Sequence, residues 1–236
     1  MKSKLFSILK RYLAFFGITL LRINLAKDRV IPKSCNLDLL FDVGANSGQY
    51  VELIRSEGFT QKIVSFEPLE KEHKYLRSMS EGYQNWQVFD RCAIGNTTGT
   101  AKINISQNSF SSSLLPILDA HLIAAPKSTY VTSESVPIYT LTNIWRENFL
   151  VYRRIGIKID VQGFEMEVLL GAQEMFDSVF FIQIEMSTIP LYENQSLYFQ
   201  IDEFLRKFGF RLWKIIPGFF NPDDGQQLQF DGIYVK

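Results

Sequence analysis

Leu39-Leu-Phe-Asp42-Val-Gly44-Ala-Asn46-Ser-Gly48 is the stretch that decides the architecture. An apolar run ends in an acid and in two glycines four apart. The residues that follow have helical period, with Val51 and Ile54 three apart and Gly58 as a stop. The pattern is that of a buried strand, a tight loop and a helix. Glycine permits such a turn and lets backbone approach a ligand closely. A dinucleotide fingerprint reads G-x-G-x-x-G, whereas this loop reads G-x-x-x-G with Asp42 two residues before the first glycine. A carboxylate there suits a ligand bearing a cation and hydroxyls better than one bearing a pyrophosphate.

The next apolar run, Ile63-Val-Ser-Phe-Glu67-Pro68, ends in an acid 19 residues after Gly48. An acid at the end of the second strand, about 20 residues past the glycine loop, is placed to accept hydrogen bonds from ribose hydroxyls. A third run ends at Phe89-Asp90-Arg-Cys92. Asp90 or the backbone near Cys92 is placed to meet an adenine amine, the plain alternatives being a solvated Asp and a small buried Cys. S-adenosylmethionine, with its amino group, sulfonium and ribose, fits this set. Asp42, Gly44, Asn46, Gly48, Glu67, Pro68, Asp90 and Cys92 are therefore the candidate donor-binding residues.

Working outward, the 236 residues are 46% hydrophobic and 21% charged, which excludes disordered and disulfide-scaffold classes. Strands are expected near 38–43, 62–67, 86–90, 155–160, 179–185, 210–215 and 228–235. Helices are expected from about Gly48, over 70–80, from about Phe164 and over 196–208. This alternation predicts an α/β domain over 34–236 with a mostly parallel sheet. Between the third and fourth sheet strands, roughly 91–150 reads as an irregular insertion with one strand at 100–105 and a Ser-rich run at Ser109–Ser113. His73, in Glu70-Lys-Glu-His73-Lys, is expected on a solvated helix face.

Basic and acidic residues balance at 25 each, which argues against a surface built to hold nucleic acid phosphates. Residues 1–33 nevertheless hold eight basic residues against Asp28 alone. Their uncharged centre, Tyr12 to Leu21, is ten residues where a spanning helix needs about 20. The segment reads as a basic amphipathic helix that docks on the domain or a partner, or that attaches peripherally to anionic membrane. Cys35 and Cys92 do not make a paired framework, and the default setting is cytoplasmic.

The fourth strand region, Ile155-Gly-Ile-Lys158-Ile-Asp160-Val-Gln162-Gly163-Phe-Glu165, repeats the form of strand, polar end, glycine and helix start. FDVGANSGQY, SFEP, KIDVQGFEMEVLLGA and the closing FDGIYVK, taken in order, resemble the FkbM-type methyltransferases over residues 37–236. Gln162 stands where that family often has Glu. The resemblance implies a Rossmann-like class I fold with a seven-stranded sheet whose last strand is antiparallel. It also implies S-adenosylmethionine as donor and O-methylation of a hydroxyl on a saccharide or small metabolite. A non-catalytic donor- or partner-binding module is the alternative, and nucleic-acid methylation a weaker one.

An acceptor hydroxyl needs a base beside the donor methyl, at the carboxyl edge of the sheet. Asp160 and Glu185 stand at adjacent strand ends and are candidates for base and orienting group, or for holding a divalent cation with Glu165. Glu165 has a plainer reading as an acid in the first turn of a helix. Lys158 either points inward to a carboxylate or carries a solvated head. His121, in the insertion, is a further candidate base, the Ser109–Ser113 hydroxyls suit a sugar-like acceptor, and Phe219 and Phe220 are placed to stack on an acceptor ring.

Overall fold

The computed structural model describes residues 30–236, and residues 1–29, with the expected amphipathic helix, lie outside the described residues. In chain order the elements are β1 Leu39–Val43, α1 Gln49–Ser56, β2 Lys62–Phe66, α2 Glu70–Ser80, β3 Trp86–Val88, β4 Ala93–Ile94, β5 Gly99–Ser106 and α3 Asp119–Ala124. There follow β6 Tyr130–Tyr139, α4 Leu141–Ile144, β7 Ile155–Ile159, α5 Glu165–Ala172, β8 Val179–Ser187, α6 Tyr198–Lys207, β9 Arg211–Pro217 and β10 Gln229–Val235. Among the described residues no helix is long and apolar enough to cross a membrane.

Seven strands form one sheet in the order β3-β2-β1-β7-β8-β10-β9. Strands β3, β2, β1, β7 and β8 pair in parallel, and the last strand, β10, runs antiparallel to both β8 and β9. All five residues of β1 and of β7 are buried, as expected where helices cover both faces of a parallel sheet. Phe41, Val43, Ile157 and Ile159 belong to the main core with Trp145, Phe149, Val168 and Leu205. Strand order reverses between β1 and β7, which opens a crevice at their carboxyl ends. Both glycine-bearing loops empty into it.

The span 91–150 is more ordered than its composition suggests. It carries a second, three-stranded sheet, β4-β6-β5, in which β5 and β6 pair antiparallel from Gly99↔Ile138 to Ser106↔Tyr130. Tyr-Val-Thr-Ser-Glu-Ser-Val-Pro-Ile-Tyr is a poor strand by periodicity, since its first half is polar but for Tyr130 and Val131, the latter exposed, and it contains Pro137. It is held by long-range burial of Val136 and Ile138 against Leu69, Ala93 and Ile103. His73 is also a correction. Its helix packs it inward, buried, with Nε2 2.8 Å from the Phe89 carbonyl oxygen.

The insertion docks on the main domain where two glycines meet. A Cβ on Gly171 of α5 would lie 2.0 Å from the Gly95 carbonyl oxygen just after β4. Gly171→Ala must separate helix and strand, and overpacking of this kind costs about 1–3 kcal/mol. The expected outcome is a melting temperature lower by roughly 2–4 °C per kcal/mol, measured by calorimetry.

Candidate active site

The crevice is a cavity of about 200 Å³. Its floor and one wall come from the ends of β1, β2 and β7 through Gly44, Asn46, Glu67, Pro68, Asp160 and Gln162. Glu185 closes one end, and Phe66, Leu69, Cys92, Ala93, Ile94, Ile103 and Phe164 give an apolar slot. The insertion supplies Ser109, Phe110, Ser112, Ser113 and Leu114.

The first loop must pass close to β7. Gly44 has φ +76°, and a Cβ there would fall 1.8 Å from the Asp160 carbonyl oxygen. Asn46 adopts φ +45°, a left-handed conformation tolerated by Asn. Its backbone N–H donates to Glu67 Oε2 at 2.7 Å, and its Nδ2 donates to Ser109 Oγ at 3.2 Å. Asn46 thus ties the glycine loop to the second strand end and to the insertion. Glu67 Oε1 also accepts the Leu69 N–H at 2.8 Å. Burial pushes the Glu67 carboxyl up to about 7, against those two hydrogen bonds, which favour its charge.

Beneath the loop runs a buried polar row set by strand register, with Ser65, Asp42, Lys158 and Gln183 side by side on β2, β1, β7 and β8. Trp86 Nε1 donates to Ser65 Oγ, which donates to Asp42 Oδ2 at 3.0 Å. Lys158 Nζ lies 3.7 Å from Asp42 Oδ1 and 3.4 Å from Asp160 Oδ2, and donates to the Gly44 carbonyl at 3.0 Å. Burial opposes the Lys158 charge, but Asp160 and Asp42 outweigh it and hold the ammonium above its ordinary range. Lys158 therefore points inward, settling the two readings of its side chain. Asp42 is wholly buried and does not line the cavity. Its register row turns it under the loop toward Lys158, so it supports the loop and presents no carboxylate to a ligand.

Of the remaining candidates, Gly48 caps α1 at φ +88°, and Trp86 would clash with any Cβ there. It shapes the turn without lining the cavity. Cys92 lines the slot, its thiol pushed up to about 12 by burial. Asp90 lies beyond the end of the short β3 with its side chain exposed, 4.0 Å from Arg77, and outside the cavity lining. His121 is buried in a satellite cluster with its ring 5.2 Å from those of Tyr192 and Phe219. Burial lowers it to about 4, and it does not reach the cavity lining. Phe219 packs on that histidine, and Phe220 is exposed outside the cavity.

The β7–α5 turn is held by Glu165, whose Oε1 accepts the Val161 and Gly163 N–H groups at 3.1 Å each. Burial pushes this carboxyl up to about 7. Its contacts fit the plainer reading of an acid that closes a helix start. Among the described residues no group of three or more His, Cys, Asp or Glu is arranged to hold a metal ion. Residues that the sequence alone does not single out are Phe110, Tyr192 and Gln229, which are brought in by tertiary folding, while Phe164, visible in the motif as a helix start, turns out to line the apolar slot. Tyr192 and Gln229 reach the acids through hydrogen bonds, Tyr192 Oη to Gln162 Oε1 at 2.8 Å and Gln229 Nε2 to Glu185 Oε2 at 2.7 Å.

A doubly wound sheet with this strand order, glycine turns at its switch point and a buried acid ending β2 is the Rossmann-like fold of class I S-adenosylmethionine-dependent methyltransferases. Its apolar slot and the acid ending its second strand fit an adenosyl donor. A profile of the methyltransferase FkbM domain matches residues 42–212, and the chain belongs to that family. No curated protein gives a significant match. Among solved structures, an FkbM methyltransferase from Methylobacillus flagellatus KT superposes with TM-score 0.52 and 13% identity, covering 85% of this chain and 44% of that one. The chain thus spans less than half of that protein, and the likeness is one of fold. A putative S-adenosylmethionine-dependent methyltransferase from Listeria monocytogenes gives 0.47 at 8% identity, covering 88% and 94%. Aeropyrum pernix fibrillarin, with natively bound S-adenosyl-L-methionine, gives 0.45 at 12%, covering 84% and 66%.

Two outcomes test this electrostatic framework. Lys158→Met leaves Asp42 buried and unpaired, a loss expected to cost about 3–5 kcal/mol. Adding Asp42→Asn should recover part of it in a double-mutant cycle read by urea denaturation. Glu67 gives a pH dependence. The unfolded carboxyl ionises near 4.5 while the folded one keeps its proton to about 7, so stability falls as pH rises through that window. Glu67→Gln should remove up to about 3 kcal/mol of that fall, seen as a flatter melting-temperature profile from pH 4.5 to 7.5.

Proposed function

We propose that the chain transfers a methyl group from S-adenosylmethionine to a hydroxyl of a saccharide or small metabolite. One observation carries the choice of a hydroxyl: Asp160 and Glu185 stand together at one end of the cleft, joined through Gln162 Nε2 at 2.8 and 2.7 Å. Bound donor supplies an activated methyl on a cationic sulfur. The protein's part is to align the acceptor with it and to remove one proton. With the donor held beside it, Asp160 would take the proton that the acceptor hydroxyl gives up on methylation, the methyl moving from sulfur to that oxygen and leaving a neutral thioether. Glu67, lining the cavity from the end of β2, is the group placed for the ribose hydroxyls. Gly44, Asn46, Pro68 and Cys92 form the surrounding walls of that donor pocket. The Ser109 and Ser112 side of the insertion lines the cavity and suits a polyhydroxylated acceptor.

Calorimetry with S-adenosylmethionine is the first test, and a well-folded protein with no saturable binding would overturn the reading. Mass spectrometry of host glycans and metabolites, with and without the chain, then seeks products heavier by one methyl substitution. Asp160→Asn should lower turnover about 10²–10⁴-fold while the donor still binds. Turnover unchanged in that variant would remove Asp160 from the reaction.

A further inference from the structure

Beneath and beside the cleft, four carboxyl groups, Asp42, Asp160, Glu185 and Asp231, act on the one Lys158 ammonium, and a fifth, Glu165, acts on Glu185. Asp42 comes from β1, Asp160 follows β7, Glu165 opens α5, Glu185 lies two residues before the end of β8, which runs past the expected stop at 185 to Ser187, and Asp231 lies opposite it on β10. Among the described residues Lys158 is the one cation in ion-pair contact with any of them, and its partners are Asp42 and Asp160. Asp231 is instead held by Gln183 Nε2 at 2.7 Å. Among the described residues Glu185 makes no ion pair. Its Oε2 accepts two amide donors, from Gln162 and Gln229, both at 2.7 Å.

Gln162 is the hub. Both of its N–H groups are used, one toward Asp160 Oδ1 and one toward Glu185 Oε2, while its Oε1 accepts from Tyr192 Oη. This saturates the side chain and fixes its orientation, since the opposite placement would set its carbonyl against two carboxyl oxygens. The two acids are left within two hydrogen-bond lengths of each other, and like charges so placed cannot both ionise freely. Both amide donors sit on Glu185 Oε2, so a proton on this group belongs on Oε1. Among the described residues Oε1 receives no hydrogen bond, and Glu185 lines the cavity.

We propose that Gln162 is a positioning residue that yokes Asp160 and Glu185 into one unit with a single negative charge, Asp160 ionised and Glu185 carrying its proton on Oε1 toward the cleft. The unit offers an acceptor and a donor side by side. The functional meaning rests on the reading of Asp160 as base, but the charge state does not. Burial, then Asp160, Glu165 and Asp231, push Glu185 well above the carboxylate range, in the same direction as the geometry.

Melting temperatures of wild type, Gln162→Met and Gln162→Glu from pH 5.5 to 8.5 test the yoke. Gln162→Glu adds a third carboxyl that keeps its proton longer folded than unfolded, so its deficit against wild type should widen with pH by about 3 °C or more. Gln162→Met removes the donors without adding charge, and its deficit should stay flat. If Gln162→Glu runs parallel to wild type, the two acids are not bridged and the proposal fails. Carbon-13 carboxyl NMR of the wild-type protein, with Glu185→Gln for assignment, decides independently of how the variants fold. Glu185 should stay protonated at pH 7 with Asp160 ionised, and an ionised Glu185 there overturns the proposal. Absence of S-adenosylmethionine binding to wild type would sink the enzymatic reading and leave these two results standing.

Discussion

The ammonium of Lys158 is the contact on which the rest of the site depends. One buried cation holds the carbonyl of the first glycine loop, the carboxylate of β1 and the carboxylate that follows β7. Those groups belong to the two strands between which the sheet reverses its winding. A buried charge is costly unless several partners share it, and here the partners are the parts that must be fixed relative to one another. The loop cannot shift without breaking a charge-assisted hydrogen bond, and Asp160 cannot swing away without leaving the lysine. The fold and the chemistry share one electrostatic clamp.

The insertion completes what the clamp begins. A Rossmann-like sheet alone leaves its switch-point crevice open to water on one side. The small β4-β6-β5 sheet builds the missing wall, and the Asn46–Ser109 hydrogen bond joins that wall to the glycine loop. Ser113 adds a second tie, its Oγ donating to the Gln162 carbonyl at 2.6 Å. Donor loop, insertion and acid-bearing turn are thus cross-linked by short polar contacts.

Much of this is legible in the chain itself, and the reasons are local. Strands β1, β2, β7 and β8 are mostly apolar because both faces are buried, broken by the polar row Ser65, Asp42, Lys158 and Gln183, and one sequence displays the punctuation at or near their carboxyl ends: Gly44, Glu67, Asp160 and, two residues inside the end of β8, Glu185. What stays hidden is decided by tertiary contact. β6 is a strand because β5 pairs with it, not because of its alternation. Whether Asp42 faces ligand or lysine depends on which side of β1 it occupies, a parity that register alone settles. His121 and Asp90 lie near the site in sequence order yet outside its lining, since one is drawn into an aromatic cluster and the other hangs past a three-residue strand. Gln162, a departure from the family pattern, turns out to have every polar atom engaged.

Asn46 and Gln162 share an uncommon backbone. Both have positive φ, at 45° and 55°, where glycine would sit with less strain and where other side chains cost on the order of 1 kcal/mol or more. Each is also the residue whose polar side chain stitches neighbouring segments together. The native state carries the strain of two left-handed corners together with the amides they place there. A lineage driven toward heat tolerance by the easy route, replacing strained corners with glycine, would relax the scaffold and unstitch the pocket in the same step. Robustness in this molecule has to be gathered far from the cleft, among the helices and the outer strands.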